Sequence, residues 1–214
     1  MGIVERKEKQ KQDIKKMILD ASMKLFVEEG FDNVTIRKIA DLIEYSPTTV
    51  YLYFKDKDEI FFQLSQVGFE KMLELNQNLT TIANPLMRLY KMGENYIHFG
   101  MSNPEFYDVM FIQRAPMDCI RKMEELEWSA GNAAIENLKE LLKECMDKGL
   151  IQKASVEVVA MAIWGLVHGM VSLVIRDRLD HINKKVTSKE HLTKMMYQSI
   201  NWLLGSIDIS IKKK

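Results

Sequence analysis

Residues 46–57 read SPTTVYLYFKDK, and the fold turns on how that stretch is read. Its middle, Val50-Tyr51-Leu52-Tyr53-Phe54, is β-branched and aromatic, which locally favours a strand. It opens, however, on Ser-Pro: a serine that can cap a helix, then a proline at the first helical position, where a missing N–H costs nothing. In the helical reading Val50 and Phe54 are four apart and face inward, while Tyr51 and Tyr53 flank that side with their phenols free for polar partners.

The flanking sequence favours the helix. Upstream, Ile14, Met17, Ile18, Ala21, Leu25 and Phe26 recur at helical spacing, predicting a first helix over about 12–29 that stops at Gly30. Thr35 can cap a second, two-turn helix carrying Ile36, Ile39, Ala40 and Ile43 on one face. Downstream, Asp56 and Glu59 form a capping-box-like pair that starts a helix from Lys57 to about Leu79. Asn84-Pro85 and Asn103-Pro104 each read as a cap and a first-turn proline. The stretch from Cys119 to Lys148 is one periodic run ending at Gly149, and Ser155 and Ser188 can cap helices over 156–178 and 189–205. No hairpin signal or repeat interrupts the pattern, so the expected fold is all-α.

The bulk numbers agree with a packed protein. The 214 residues are 47% hydrophobic and 28% charged, and 30 basic residues balance 30 acidic ones, so composition alone announces no nucleic-acid partner. Two isolated cysteines, Cys119 and Cys145, suit a reducing compartment, and the charged N-terminus does not resemble a secretory signal; a cytoplasmic protein is expected. Residues 158–175 carry no Asp, Glu, Lys or Arg. Their length is near the minimum for a membrane span, but His168, Ser172 and two glycines favour a helix buried between others.

A two-turn helix, a turn of about four residues and another two-turn helix is the helix-turn-helix layout, with the first helix bracing the pair. Thr48 and Thr49 then occupy the part of a recognition helix that meets base edges. Tyr51, Tyr53, Lys55 and Lys57 suit phosphates, and Arg37 a guanine edge or a phosphate. With the capping residues Thr35, Ser46 and Pro47, these form the expected DNA-binding set. The N-terminal arm, with Arg6, Lys7, Lys9, Lys11, Lys15 and Lys16 against Glu5, Glu8 and Asp13, reads as solvated and partly disordered, adding at most phosphate attraction.

The segment from Ile18 to Leu64, ILDASMKLFVEEGFDNVTIRKIADLIEYSPTTVYLYFKDKDEIFFQL, resembles the DNA-binding domain of the TetR family of bacterial transcription regulators. The likeness rests on Leu25-Phe26, Gly30-Phe31, Thr35-Ile36-Arg37-Lys38-Ile39-Ala40, and Ser46 followed by Thr49 to Phe54 and Lys57. It implies a homodimer on a palindromic operator, usually a repressor, with a C-terminal domain whose small-molecule ligand lowers DNA affinity. The turn departs from the family pattern: Glu44 stands where glycine is usual and must accept a left-handed backbone. The implied organisation is an arm and helix-turn-helix domain over 1–56, a connecting helix over 57–79, and a ligand-binding and dimerisation domain over 80–214.

WGLVHGMVSLV, with Trp164, His168 and Gly169, is similar to the WHG type of C-terminal domain in that family, on the helix that by resemblance contributes to the dimer interface. The expected interface set is Trp164, Gly165, His168, Gly169, Ser172 and Trp202. Tyr90, Asn95, Tyr96, His98, Phe99, Phe106, Met110, Phe111 and Trp128 are the expected ligand-binding residues, for a bulky apolar molecule anchored by Asn95, Tyr96 or His98. Fifteen methionines, Met72, Met87, Met92, Met101, Met117, Met123 and Met161 among them, are mostly core, with some bordering a cavity. His98 and His168 read as core histidines. Asp177, Asp180 and His181 read as a solvated face, not a metal site. No catalytic triad order, phosphate loop or CxxC is present, and no cofactor is expected. A ligand-insensitive regulator is the alternative; an all-helical enzyme or carrier is a distant one.

Overall fold

The computed structural model describes residues 2–122, 127–179 and 188–210. Among them the chain is all-α, with ten α-helices: α1 Ile3–Glu29, α2 Ile36–Leu42, α3 Pro47–Tyr51, α4 Lys57–Glu74, α5 Pro85–Ser102, α6 Pro104–Phe111, α7 Ala115–Lys122, α8 Ser129–Asp147, α9 Val156–Ile175 and α10 Lys189–Ile207. Short 3-10 turns occupy Phe31–Asn33 and Gln77–Thr81. The expected all-α class holds; Ile151 and Asp208 make an isolated bridge.

Five of the expected caps are in place, whereas the Asn103 amide, expected to cap α6, donates to the Phe99 carbonyl at 3.2 Å. Side-chain oxygens of Thr35, Ser46, Asn84, Ser155 and Ser188 each accept a backbone N–H from the first turn of the following helix. Asp56 accepts the Glu59 N–H at 2.9 Å, and Glu59 reaches back to the Lys55 N–H at 2.6 Å, the reciprocal arrangement that starts α4.

By its contacts the chain forms two compact units, Met1–Gly68 with Glu105–Trp128, and Phe69–Pro104 with Ser129–Lys214. In the first unit Ile18, Ile39, Val50, Phe54, Ile60 and Phe61 are buried together with Val109 and Ala115. Phe61 meets the rings of Phe26 and Phe31 edge-on at 5.5 and 4.7 Å. In the second unit α5 packs against α8, α9 and α10. Arg88 on α5 pairs at 2.6 Å with Glu144 on α8, which also holds Lys148.

Several boundaries differ from expectation. α1 begins at Ile3, not near residue 12, so the arm is helical: its Glu, Lys, Arg and Gln are good helix formers, and Glu5 accepts the Gly2 N–H at 2.7 Å. α4 ends at Glu74 instead of Leu79, because the Asn95 amide takes the Leu75 carbonyl at 2.8 Å and Asn76 Oδ1 at 3.0 Å. The run from Cys119 to Lys148 is not one helix. Glu127 and Trp128 are non-helical, and the Glu127 carbonyl accepts from Gln66 on α4. α9 stops at Ile175, before a left-handed Asp177 with φ 51°. Met123, Asp180 and His181 lie outside the described residues.

Candidate nucleic-acid interface

α2 and α3 are joined by Ile43–Glu44–Tyr45–Ser46. The Tyr45 N–H bonds the Ala40 carbonyl at 3.0 Å and the Glu44 N–H bonds that of Asp41 at 3.3 Å. This pair of bonds is the Schellman closure, with Glu44 at the left-handed position and φ 60°. The departure noted in the sequence is thus accommodated without losing the turn.

Ser46 fixes the start of α3. Its Oγ accepts the Thr49 N–H at 3.2 Å and lies 2.9 Å from Thr49 Oγ1. Val50 and Phe54 are buried, as expected. Around that anchor Ser46, Pro47, Thr48 and Tyr51 are exposed, Tyr51 at 56%, and so are Thr35 and Arg37 on the neighbouring helix start. Tyr53 differs: α3 ends at Tyr51, and the Tyr53 ring packs half-buried against the core. The expectation that both tyrosines stand clear of the core holds for Tyr51 alone. Lys55 is exposed. Lys57 is half-buried, its Nζ donating to the Phe31 carbonyl at 2.9 Å and lying 4.0 Å from the Phe31 ring centroid. That contact ties the start of α4 to the turn after α1.

The expected ligand residues divide between the units. Phe106, Met110, Phe111 and Trp128 belong to the first, Tyr90, Asn95, Tyr96, His98 and Phe99 to the second. Phe99 and Met110 are buried; His98 is exposed on α5, which corrects its reading as a core histidine. A cavity of about 640 Å³ in the second unit is lined by Leu73, Leu79, Met92 and Leu141 with Glu70, Glu74, Asn76, Gln77, Thr80, Arg88, Asn137, Glu140 and Glu144. None of the nine expected residues lines it. Its glutamates on α4 and α8 were not among the expected site residues, and no sequence signal marks them out.

Of the expected interface residues, Trp164 and His168 turn toward α5 within the same chain. Trp164 Nε1 donates to Tyr96 Oη at 3.3 Å, and Tyr96 Oη lies 3.3 Å from His168 Nδ1. Burial holds the His168 pKa below its ordinary value, so the neutral ring can accept the Tyr96 proton. Gly165 is exposed, and a Cβ added at Gly165 or Gly169 would meet nothing within 4 Å. α9 has a mean hydropathy of 2.2, yet only 28% of its apolar window is buried. The expectation that neighbouring helices of the chain enclose it is therefore not met. Val158, Met161, Gly165, Gly169 and Ser172 form one stripe of that helix, opposite the buried Ala160, Ile163, Val167, Val171 and Val174. On α10, Trp202 is 76% exposed. Both cysteines are buried, and burial, first, pushes their thiols up to about 11, so neither is a poised nucleophile.

A capped, exposed recognition helix in one unit and a helical bundle in the other define a helix-turn-helix regulator. Residues 18–64 match the family model for bacterial regulatory proteins of the tetR family, and residues 89–196 match that for the tetracyclin repressor-like C-terminal domain. The chain belongs to the TetR family, whose members are DNA-binding regulators of transcription and not enzymes. It is similar to an HTH-type transcriptional repressor of Mycobacterium tuberculosis, 34% identical over 27% of this chain and 31% of that protein. It is 23% identical to the HTH-type regulator YhgD of Bacillus subtilis, over 71% of this chain and 78% of that one. The matches to the mycobacterial repressor and to a Haemophilus influenzae regulator span about a third and a half of those relatives' lengths. The fold is shared with the Bacillus subtilis regulator FadR in complex with stearoyl-CoA, at TM-score 0.70 and 20% identity, covering 88% of this chain and 96% of that one.

Proposed function

We propose that the protein binds a palindromic operator as a homodimer in the cytoplasm and represses transcription until a small apolar ligand releases it. The observation that carries this reading is α3: its start is fixed by Ser46, its inner side is buried through Val50, and Thr48 and Tyr51 are left exposed. Arg37 is exposed on the helix before it. The apolar outer stripe of α9 and the exposed Trp202 of α10 support pairing with a second copy. A shared fold with a regulator that binds stearoyl-CoA supports an effector with a long apolar part.

Duplexes from the gene's own promoter region, titrated with the full chain in a gel-shift assay at low salt, test the reading. Arg37→Ala and Thr48→Ala should each cost about 1–3 kcal/mol where a base contact is lost, and should alter sequence preference. If no duplex is retained, the DNA-binding reading fails. A panel of fatty acyl and other hydrophobic compounds should raise the melting temperature and release operator DNA in the same rank order. Compounds that stabilise the protein and leave DNA affinity unchanged would instead make it a ligand-insensitive regulator.

A further inference from the structure

α1 is longer than its core requires. The first buried residue of the described helix is Ile14, and residues 4–13 are exposed throughout. At 1.5 Å per residue those ten positions carry the helix about 15 Å beyond the core. An isolated helix of that length is marginal in water. This one continues a buried helix, and the Gly2–Glu5 and Gln12–Glu8 hydrogen bonds reinforce it. The Lys38–Glu29 ion pair holds the other end of α1 to the first turn of α2, so the extension leaves from the opposite end.

Its charge is not that of the chain. The whole protein balances 30 basic against 30 acidic residues, whereas residues 4–16 hold six basic and three acidic ones, an excess of three. The six basic residues divide evenly between the two sides of the helix, and three of them form a regular row. Lys7, Lys11 and Lys15 follow one another at four-residue spacing and continue the stripe of Ile14, Ile18 and Leu25 that α1 turns to its own unit. Glu8 sits at the edge of that row, so the row carries an excess of two; Glu5 and Asp13 fall on the other side of the helix, with Arg6, Lys9 and Lys16. No described ion pair ties up any of the row's three lysines, while Lys16 is paired with Asp20.

We infer that this extension is a second DNA contact, laying Lys7, Lys11 and Lys15 along the phosphate backbone beside the half-site read by α3. The inference rests on the DNA-binding reading above and adds a surface to it. Duplex DNA presents a phosphate charge about every 1.7 Å along its axis, so a helix with one lysine per turn on one face meets phosphates in any register. The contact carries no sequence information: it lengthens the footprint and steepens the salt dependence.

The test compares the full chain with its K7A/K11A/K15A and K7R/K11R/K15R variants on one promoter duplex, by affinity from 50 to 200 mM salt and by hydroxyl-radical footprinting. Lys7 and Lys11 are exposed and Lys15 is half-buried, so circular dichroism and melting curves check that the substitutions leave the fold intact. Each lost phosphate contact should flatten the plot of log affinity against log salt by about 0.9. Three lost contacts would reduce the affinity drop across that salt range by roughly 40-fold. The alanine variant should also lose protection at the footprint's flanks, keep its centre and keep its sequence preference; the arginine variant should behave as wild type. An unchanged slope and footprint in the alanine variant overturns the inference while leaving operator binding intact. Wild type that binds no duplex removes both readings. Unchanged DNA behaviour together with lysine-dependent binding to phosphatidylserine vesicles would assign the surface to a membrane and overturn it equally.

Discussion

Replacing Glu44 by glycine should make the protein more stable, and the structure contains its own controls. Three helices end in the same Schellman closure. α2 uses Glu44 at the left-handed position, α8 uses Gly149, with bonds from Gly149 to Met146 and from Leu150 to Cys145, and α9 uses Asp177, with bonds from Asp177 to Val174 and from Arg178 to Leu173. The three φ values, 60°, 63° and 51°, are alike, so the backbone demand is the same and only the residue differs. A non-glycine residue pays roughly 1–2 kcal/mol for that conformation, and aspartate less than glutamate because it tolerates the region better. Glycine forfeits about 0.5–1 kcal/mol through the freedom it gains in the unfolded chain. The net gain for Glu44→Gly is about 0.5–1 kcal/mol, or a rise of roughly 2–4 °C per kcal/mol in melting temperature for a chain of this size. Asp177→Gly should gain less. Glu44→Ala keeps a Cβ at positive φ and should gain nothing from the backbone. Urea and thermal unfolding of the three variants measure this order, and a Glu44→Gly protein no more stable than Glu44→Ala would refute the strain argument.

Gly68→Ala should destabilise by about 1 kcal/mol in a urea titration: its Cβ would meet the Met110 sulfur, with Met110 Cγ at 2.8 Å and Phe106 at 3.2 Å, and overpacking of 1–3 kcal/mol outweighs the helix-propensity gain. Gly165→Leu and Gly169→Leu add side chains into open space on the single chain, so helicity should persist while sedimentation reports loss of dimer; an intact dimer in both would remove these glycines from the interface. The His168 pKa lies below its unfolded value because burial disfavours the charged ring, so the unfolded state binds the extra proton between the two values. Stability should therefore fall as pH drops below about 6.5 toward the lowered folded pKa, and His168→Gln should flatten that part of a pH–melting curve.

Local chemistry was legible and long-range chemistry was not. Ser46-Pro47, Asn84-Pro85, Thr35, Ser155 and Ser188 announced helix starts because a cap needs only residues three apart, and Gly30 and Gly149 announced ends for the same reason. The end of α4 was hidden because it depends on Asn95, nineteen or twenty residues away, taking the Leu75 carbonyl. The break before α8 was hidden likewise, the Glu127 carbonyl bonding to Gln66. The start of α1 was missed for a different reason: periodicity finds helices with a buried face, and residues 4–13 have none. Glu44 was legible as a strained site because one position of a known motif disagreed with its residue. Lys57 was legible as a cation near α3, but its bond to the Phe31 carbonyl is a tertiary contact that no spacing reveals.

Much of the absence of charge along α9 between Val158 and Ile175 has a physical account in three sectors. One sector, from Ala160 to Val174, fills the core of its unit and must be apolar. A second, flanking it, carries Trp164 and His168, whose ring nitrogens reach Tyr96 on α5. The hydrogen bonds there run in one direction: the indole N–H can only donate to Oη, so the tyrosine proton is available to a neutral His168 Nδ1. That chain specifies how α9 is rotated against α5, since turning the helix by one residue would break both hydrogen bonds. The third sector, Val158, Met161, Gly165, Gly169 and Ser172, is what the rotation leaves outside, and it is small or apolar without a charge to solvate it. Under the dimer proposal these sectors are coupled. Because Tyr96 fixes the rotation, it also fixes which stripe the second copy meets, so Tyr96→Phe should leave the core packed but weaken assembly, and an unaltered dissociation constant for that variant would uncouple the two.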